Sequence, residues 1–244
     1  MNKRNKFFLR HLFVSICLAL IIVGWVFLIW YPQPLAKAVG VTHIFIMMLI
    51  IDVIVGPILS FVIYKEKKKS LKFDLSIIIA IQILALGYGM FNIAQARPIW
   101  IVFNQNKFEL IQKNYLILDN VPTADEKYKT ISPFVPSYVG VEPSIDKQQR
   151  NNNNFDFLIS GISLAQRPEL YIPLDKIRIK MSNQSMNLRD LTKFNNQNEV
   201  GVVLSKNPQA TAWLPLKANV VDMVVLINKE KGEVVKIVDL RPWK

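Results

Sequence analysis

Residues 42–64 read THIFIMMLIIDVIVGPILSFVIY. A run of this length and apolarity suits a helix that crosses a bilayer, which takes about 20 residues. Its middle carries one carboxylate, Asp52, and Gly56 and Pro57 follow about one turn later. An acid at the bilayer centre costs about 2.5 to 3.5 kcal/mol on insertion scales, so it calls for a partner or a use. This one stretch commits the chain to a membrane.

Two further apolar runs flank it, at residues 12–30 and 75–94. The first follows Lys3, Arg4, Lys6 and Arg10 and is trailed by Ala36-Lys37-Ala38, a small-residue pattern resembling a signal-peptide cleavage site. It is longer than the roughly 7–15 residues of a signal-peptide core, so an uncleaved spanning helix is the better reading. Trp25, Trp30 and Tyr31 suit its far interface, and Pro32 and Pro34 end it. Expected spans are residues 11–31, 41–64 and 75–95. The link between the first two carries only Lys37, whereas residues 65–74 hold Lys65, Lys67, Lys68, Lys69 and Lys72. The positive-inside rule puts the N-terminus and that basic loop in the cytoplasm. Three crossings then place residues 97–244 outside.

The expected architecture is an N-terminal three-helix transmembrane bundle, residues 1–96, followed by an α+β extracytoplasmic domain, residues 97–244, long enough to bury its own core. The formal charge is +12, but residues 1–96 hold ten Lys/Arg against three Asp/Glu. Much of the excess thus flanks membrane segments, and no basic stripe marks a nucleic-acid surface. Cys17 is the single cysteine, so no intrachain disulfide forms.

Beyond residue 97, IWIVFNQNKFELIQ predicts a hairpin about Asn104-Gln105-Asn106. ANVVDMVVLI, NKEKGE and VVKIVDL predict a second, near the C-terminus. Residues 121–147, with Pro122, Pro133, Pro136 and Pro143, read as an irregular surface connection. The run Asn151–Asn154 reads as an exposed loop or a frayed helix start. Asp175 is placed as the cap of a helix reaching Met181, and Asn187 as the cap of one reaching Phe194.

No phosphate loop, HExxH, CxxC or GxSxG element occurs. The only histidines, His11 and His43, lie at membrane segments. The extracytoplasmic domain therefore cannot assemble a Ser-His or Cys-His nucleophile or a usual zinc site from this chain. None of its fifteen acids shows telling spacing, and Asp125-Glu126 reads as a solvated turn. No catalytic, cofactor or metal residue is assigned.

Within the bilayer, His43 precedes Asp52 by nine residues, about 900° of helix, and so faces the other way. Gln82 lies near mid-depth of the third helix. Two readings of Asp52 stand side by side: a hydrogen bond to Gln82 or a backbone carbonyl that fixes packing, or a polar group on a partner's helix. Pro57 leaves a carbonyl near Val53 to be satisfied, and Gly56 admits a close neighbour.

Several segments together carry a resemblance. They are Tyr31-Pro32, IDVIVGPILS at 51–60, KKSLKFDL at 68–75, IQILALGYG at 81–89, ARPIWIVFNQNKFELI at 96–111, AQRPELY at 165–171, and VVDMVVLINKEKGEVVKIVDLRPW at 220–243. Their order resembles the type IV pilin accessory proteins of the TfpX/TfpZ family, related in layout to FimB-like pilus proteins. The resemblance spans all three helices and both ends of the extracytoplasmic domain, and is weakest over residues 113–154. It implies a bacterial inner-membrane protein that assists assembly of a particular major pilin without catalysing a reaction. By motif, Asp52, Gly56, Pro57, Arg97-Pro98, Arg167-Pro168 and Arg241-Pro242-Trp243 are recurring positions. Proline biases the preceding arginine toward extended backbone, so each pair suits fastening a loop or strand end, or touching a partner. Expected partners are the major pilin and membrane lipid, with self-association left open. An extracytoplasmic sensor would need a cytoplasmic output module, for which only about ten residues per side exist. A pilin-modifying enzyme would need acids or a metal at the membrane face.

Overall fold

The computed structural model describes residues 2–244, apart from the side chain of Asn154. Helix α1 runs Lys3–Trp25 and continues as a π-helical turn, Val26–Trp30. A short helix α2, Leu35–Val39, precedes the long α3, Val41–Ile63, and α4, Leu71–Gln95. The three long helices are apolar and long enough to span a membrane. Phe13, Ile21, Leu28, Ile44 and Leu84 stand exposed on them, as lipid-facing side chains do. α1 begins earlier than residue 11, because Asn2 caps it and the basic residues 3–10 form its first turns. α4 also starts early. Asp74 sits in its first turn, where a carboxylate complements the helix dipole, and pairs with Lys68 at 2.6 Å.

The α+β domain is organised on one mixed sheet. Strands β1 (Pro98–Asn104), β2 (Lys107–Gln112), β3 (Ser137–Val141), β4 (Tyr171–Ile172), β5 (Met186–Asn187), β6 (Ala212–Lys217), β7 (Met223–Asn228) and β8 (Glu233–Val238) run in the order β4-β3-β1-β2-β6-β7-β8, with β5 added on β6. Both expected hairpins are present, as β1–β2 and β7–β8. β1 and β7 are continuous apolar runs, not alternations, because both faces of the sheet are covered there. Ile101, Phe103, Leu214, Leu216, Val225 and Ile227 share one core. Trp100 and Val102, and at the other end Trp213, Val224 and Leu226, fill the opposite face.

Four expectations change. Residues 121–147 are not wholly irregular: β3 lies there and pairs in parallel with β1, Trp100 opposite Ser137. Five residues between prolines give little local signal, and the pairing that makes them a strand is distant in sequence. The asparagine run falls inside a helix, α6 by the numbering that counts Glu126–Lys129 as α5, spanning Lys147–Ser160. Asp146 caps α6 by accepting from the Gln148 N–H, and Gly161 ends it at φ 68°. Asp175 caps nothing. It pairs with Arg178 at 2.7 Å within a 3-10 turn, and α7 follows at Arg178–Gln184. Asn187 does cap its segment, but the segment is a 3-10 turn, Leu188–Lys193. α8, Gln197–Ser205, and β6 were outside the expectation; Pro215 in β6 disguises the strand.

Bundle and domain share a core. The α2 segment between the first two long helices inserts Leu35 and Ala38 among the sheet residues Ile101, Leu214 and Val225. The Ala38 carbonyl accepts from the N–H groups of Val220 and Val221 at 3.0 and 3.1 Å. Gly40 turns the chain into α3 at φ 74°, pressed against Val220, where a Cβ would also have no room. Lys37 reaches Asp239 at 2.6 Å, and the Tyr31 hydroxyl donates to the Ile93 carbonyl at 2.7 Å.

Candidate functional site: an intramembrane cleft

α3 packs against both α1 and α4, whose own backbones approach each other much less. The space between them is a cleft of about 260 Å³, floored by Leu49, Asp52 and Val53 of α3. Its polar lining is His11 and Ser15 from α1, Asp52, and Gln82 from α4. The rim residues Val14, Leu18 and Ile83 are exposed, so the cleft opens sideways.

Local sequence explains this arrangement. Asp52, Gly56 and Ser60 recur every four residues and so form a stripe along α3. Gly56 lies against the Gln82 side chain, whose amide occupies the volume that a Cβ would need. That approach lets Gln82 Nε2 donate to the Asp52 backbone carbonyl at 3.0 Å. Pro57 has no N–H to offer Val53, so this stretch of helix is short of donors, and a side-chain amide from the neighbouring helix is well placed. Gln82 therefore meets the carbonyl of Asp52, not its carboxylate. The carboxylate oxygen Oδ2 is enclosed and has no hydrogen-bond partner among the described residues.

His11 Nδ1 and Ser60 Oγ are 2.9 Å apart. Such a spacing is that of a nucleophile and its base. Ser60, however, is 1% exposed and does not line the cleft, so a substrate cannot reach it. The pair ties α1 to α3, as does Arg4, which donates to the Phe61 carbonyl at 2.7 Å with its guanidinium 3.8 Å above the Phe61 ring. Neither link was expected from sequence, although the four-residue stripe through Ser60 was there to be read. His43 is exposed at the other end of α3 and takes no part.

The arginine positions lie elsewhere and apart from one another. Arg97, 7% exposed, donates to the Ser132 and Phe134 carbonyls at 2.7 and 3.2 Å and pins the proline-rich connection. Burial lowers its pKa from the ordinary guanidinium value. Pro98 opens β1 beside an irregularity in the register. Arg167 bonds Asp156 of α6 at 2.5 Å and stands 3.6 Å from Glu169, while Pro168 starts a 3-10 turn. Arg241 binds the Asp222 carbonyl and the Asp239 carboxylate, and its N–H donates to Asn195 at 2.6 Å. Pro242 is buried, and the Trp243 indole donates to Asp222 at 2.9 Å. Each arginine joins segments distant in sequence. No group of three or more potential metal ligands occurs among the described residues.

A family model described as "Fimbrial assembly protein FimB" matches residues 1–40. Among curated proteins, "Fimbrial assembly protein, serogroup E1" of Dichelobacter nodosus is 30% identical over 94% of both chains. The serogroup I protein of the same organism is 29% identical over the same shares. The protein of serogroups C1 and C2 is 36% identical, matching over its whole length and 51% of this chain. No solved structure matches.

Proposed function

This chain belongs to the fimbrial assembly protein family, and on that premise we propose that it is a non-enzymatic accessory factor that binds the major type IV pilin in the bacterial inner membrane. The observation that carries the proposal is the cleft between α1 and α4, whose lining includes Asp52, a carboxylate whose Oδ2 has no hydrogen-bond partner among the described residues. A polar group on another helix gains most where the alternative is lipid. A pilin subunit awaiting assembly has an apolar helix of this kind, and the cleft is open to one side.

On this reading the basic residues of the N-terminus and of residues 65–74 keep those ends in the cytoplasm, and residues 97–244 are periplasmic. The bundle then meets the pilin helix while the α+β domain stands beside the pilin head. Because Leu35 and Ala38 lock the two parts together, a helix docked in the cleft is held in register with the domain.

The test is co-purification of pilin from membranes with the wild-type chain, Asp52→Asn and Asp52→Leu, alongside surface piliation. Wild type captures pilin, and both variants, though present at normal levels, lose capture and pili together. Equal capture and full piliation by all three overturns the assignment of Asp52. Pili of normal number but altered pilin mass in a deletion strain would instead indicate a modifying enzyme.

A further inference from the structure

A second polar feature lies in the α+β domain, away from the cleft and independent of the pilin proposal. β4, Tyr171–Ile172, is the end strand of the sheet and, among the described residues, pairs only with β3. Beside it is a hollow of about 270 Å³. Two carboxylates line it, Glu142 on the rim and Glu169 inside, and no basic residue does so among the described residues. The chain carries a net +12, so a hollow with only negative charge runs against the whole.

Glu169 is the telling group. Its side chain is 4% exposed, and Oε2 has no hydrogen-bond partner among the described residues. Its other oxygen has only long contacts, 3.4 Å to Asn120 Nδ2 and 3.6 Å to Arg167 Nη1. Arg167 cannot neutralise it fully, because the same guanidinium makes its short 2.5 Å bond to Asp156. Arg150, next in sequence to the lining Gln149, is held by the Ser144 and Ile145 carbonyls at 2.9 and 2.7 Å. A carboxylate removed from water and left half-bonded favours a cation with N–H donors.

The rest of the hollow describes the shape of that cation. Pro143, Leu170 and the nearly fully exposed Ile145 supply apolar surface beside the two acids, among the polar side chains of Thr123, Ser144 and Gln149. Apolar patches beside paired acids fit an alkyl stem with an ammonium head, which rests its methylenes on the former and pairs its charge with the latter. A transition metal fits poorly, since the described residues bring no third His, Cys, Asp or Glu to the two acids. We propose that the Glu142–Glu169 hollow at the β4 edge binds the side chain of a lysine presented by another polypeptide.

The test uses the full-length, isotope-labelled chain in lipid nanodiscs, following the backbone amide signals of Glu142, Glu169 and Tyr171. N-acetyl-lysine methylamide is titrated against N-acetyl-norleucine methylamide, its uncharged analogue, and against spermidine and Ca²⁺. The lysine probe produces saturable shifts at these amides, and the norleucine probe does not. Glu169→Gln weakens lysine binding at least tenfold and Glu142→Gln at least threefold. If Glu169→Gln fails to fold, Glu142→Gln decides. Equal binding of norleucine, unchanged binding by the variants, or saturation by Ca²⁺ alone overturns the proposal. Much tighter binding of spermidine than of the lysine probe overturns the polypeptide source and assigns the site to a free polyamine.

Discussion

The three arginines of the α+β domain and Asp52 of the bundle treat buried charge in opposite ways. In the domain, Arg97, Arg167 and Arg241 are largely withdrawn from solvent, and each is bonded to at least two groups from elsewhere in the chain. In the bundle, Asp52 lines an open cleft with an oxygen that bonds nothing among the described residues. Charge whose bonds are all internal holds the fold together. Charge left without them, in a medium where that is costly, is on the proposed function kept for something outside the chain. On the function proposed above, the difference separates fasteners from a recognition point.

The largest effect expected on the fastener side is at Arg167. Arg167→Ala breaks the bond to Asp156 and removes the guanidinium 3.6 Å from the buried Glu169, and removing one partner of a buried pair costs about 3 to 5 kcal/mol. Thermal unfolding of the detergent-solubilised chain, followed by tryptophan fluorescence, reads this as a large loss in the α+β domain. A loss under about 1 kcal/mol would mean that the arginine is not a fastener, and would erase the contrast with Asp52.

Leu35→Ala probes the join between the two regions. The side chain is 3% exposed within the sheet's core although it lies between two membrane helices. Truncating a buried leucine costs about 2 to 5 kcal/mol. The cost should appear in the unfolding of the α+β domain, even though the substitution lies outside residues 97–244. If only the bundle is weakened, the two regions are separate bodies and a helix in the cleft is not held in register with the domain.

How much of this was legible in the sequence follows from where each signal resides. The spans and the two hairpins depend on apolar runs and turn residues close in sequence, and residues 42–64 alone pointed to the membrane. β3 and the insertion of Leu35 and Ala38 depend on partners tens to hundreds of residues away, which no local pattern encodes. The asparagine run misled because asparagine is a weak helix former, whereas here Asp146, Gly161 and the Asp156–Arg167 pair sustain the helix. Within the candidate site, the acid, the glycine and the glutamine were each visible. That Gln82 would meet a carbonyl and leave the carboxylate alone required the close approach at Gly56.

That approach yields a smaller prediction inside the bundle. Gly56→Ala places a methyl group where the Gln82 amide lies, and overpacking of this kind costs about 1 to 3 kcal/mol. Pairing it with Gln82→Ala removes the obstruction and recovers most of the loss, which a double-mutant cycle in a denaturant titration measures. Failure of the second change to compensate would show that α3 and α4 do not meet through these two residues.

The smallest stability effect is expected at Asp52, and its smallness is the point. Asp52→Asn keeps the shape, leaves the backbone carbonyl free to accept from Gln82, and replaces a carboxylate whose Oδ2 makes no hydrogen bond among the described residues. Nothing stabilising is lost, so unfolding should shift by less than about 1 kcal/mol, the range of substitutions away from a packed or bonded feature. Set beside Arg167→Ala, the two substitutions dissociate the roles of buried charge: one unfolds the domain with no direct bearing on the cleft, the other leaves the fold intact while pilin capture is lost. If Asp52→Asn instead destabilises the bundle as strongly as Arg167→Ala does the domain, Asp52 belongs with the fasteners, and recognition must be sought on another surface.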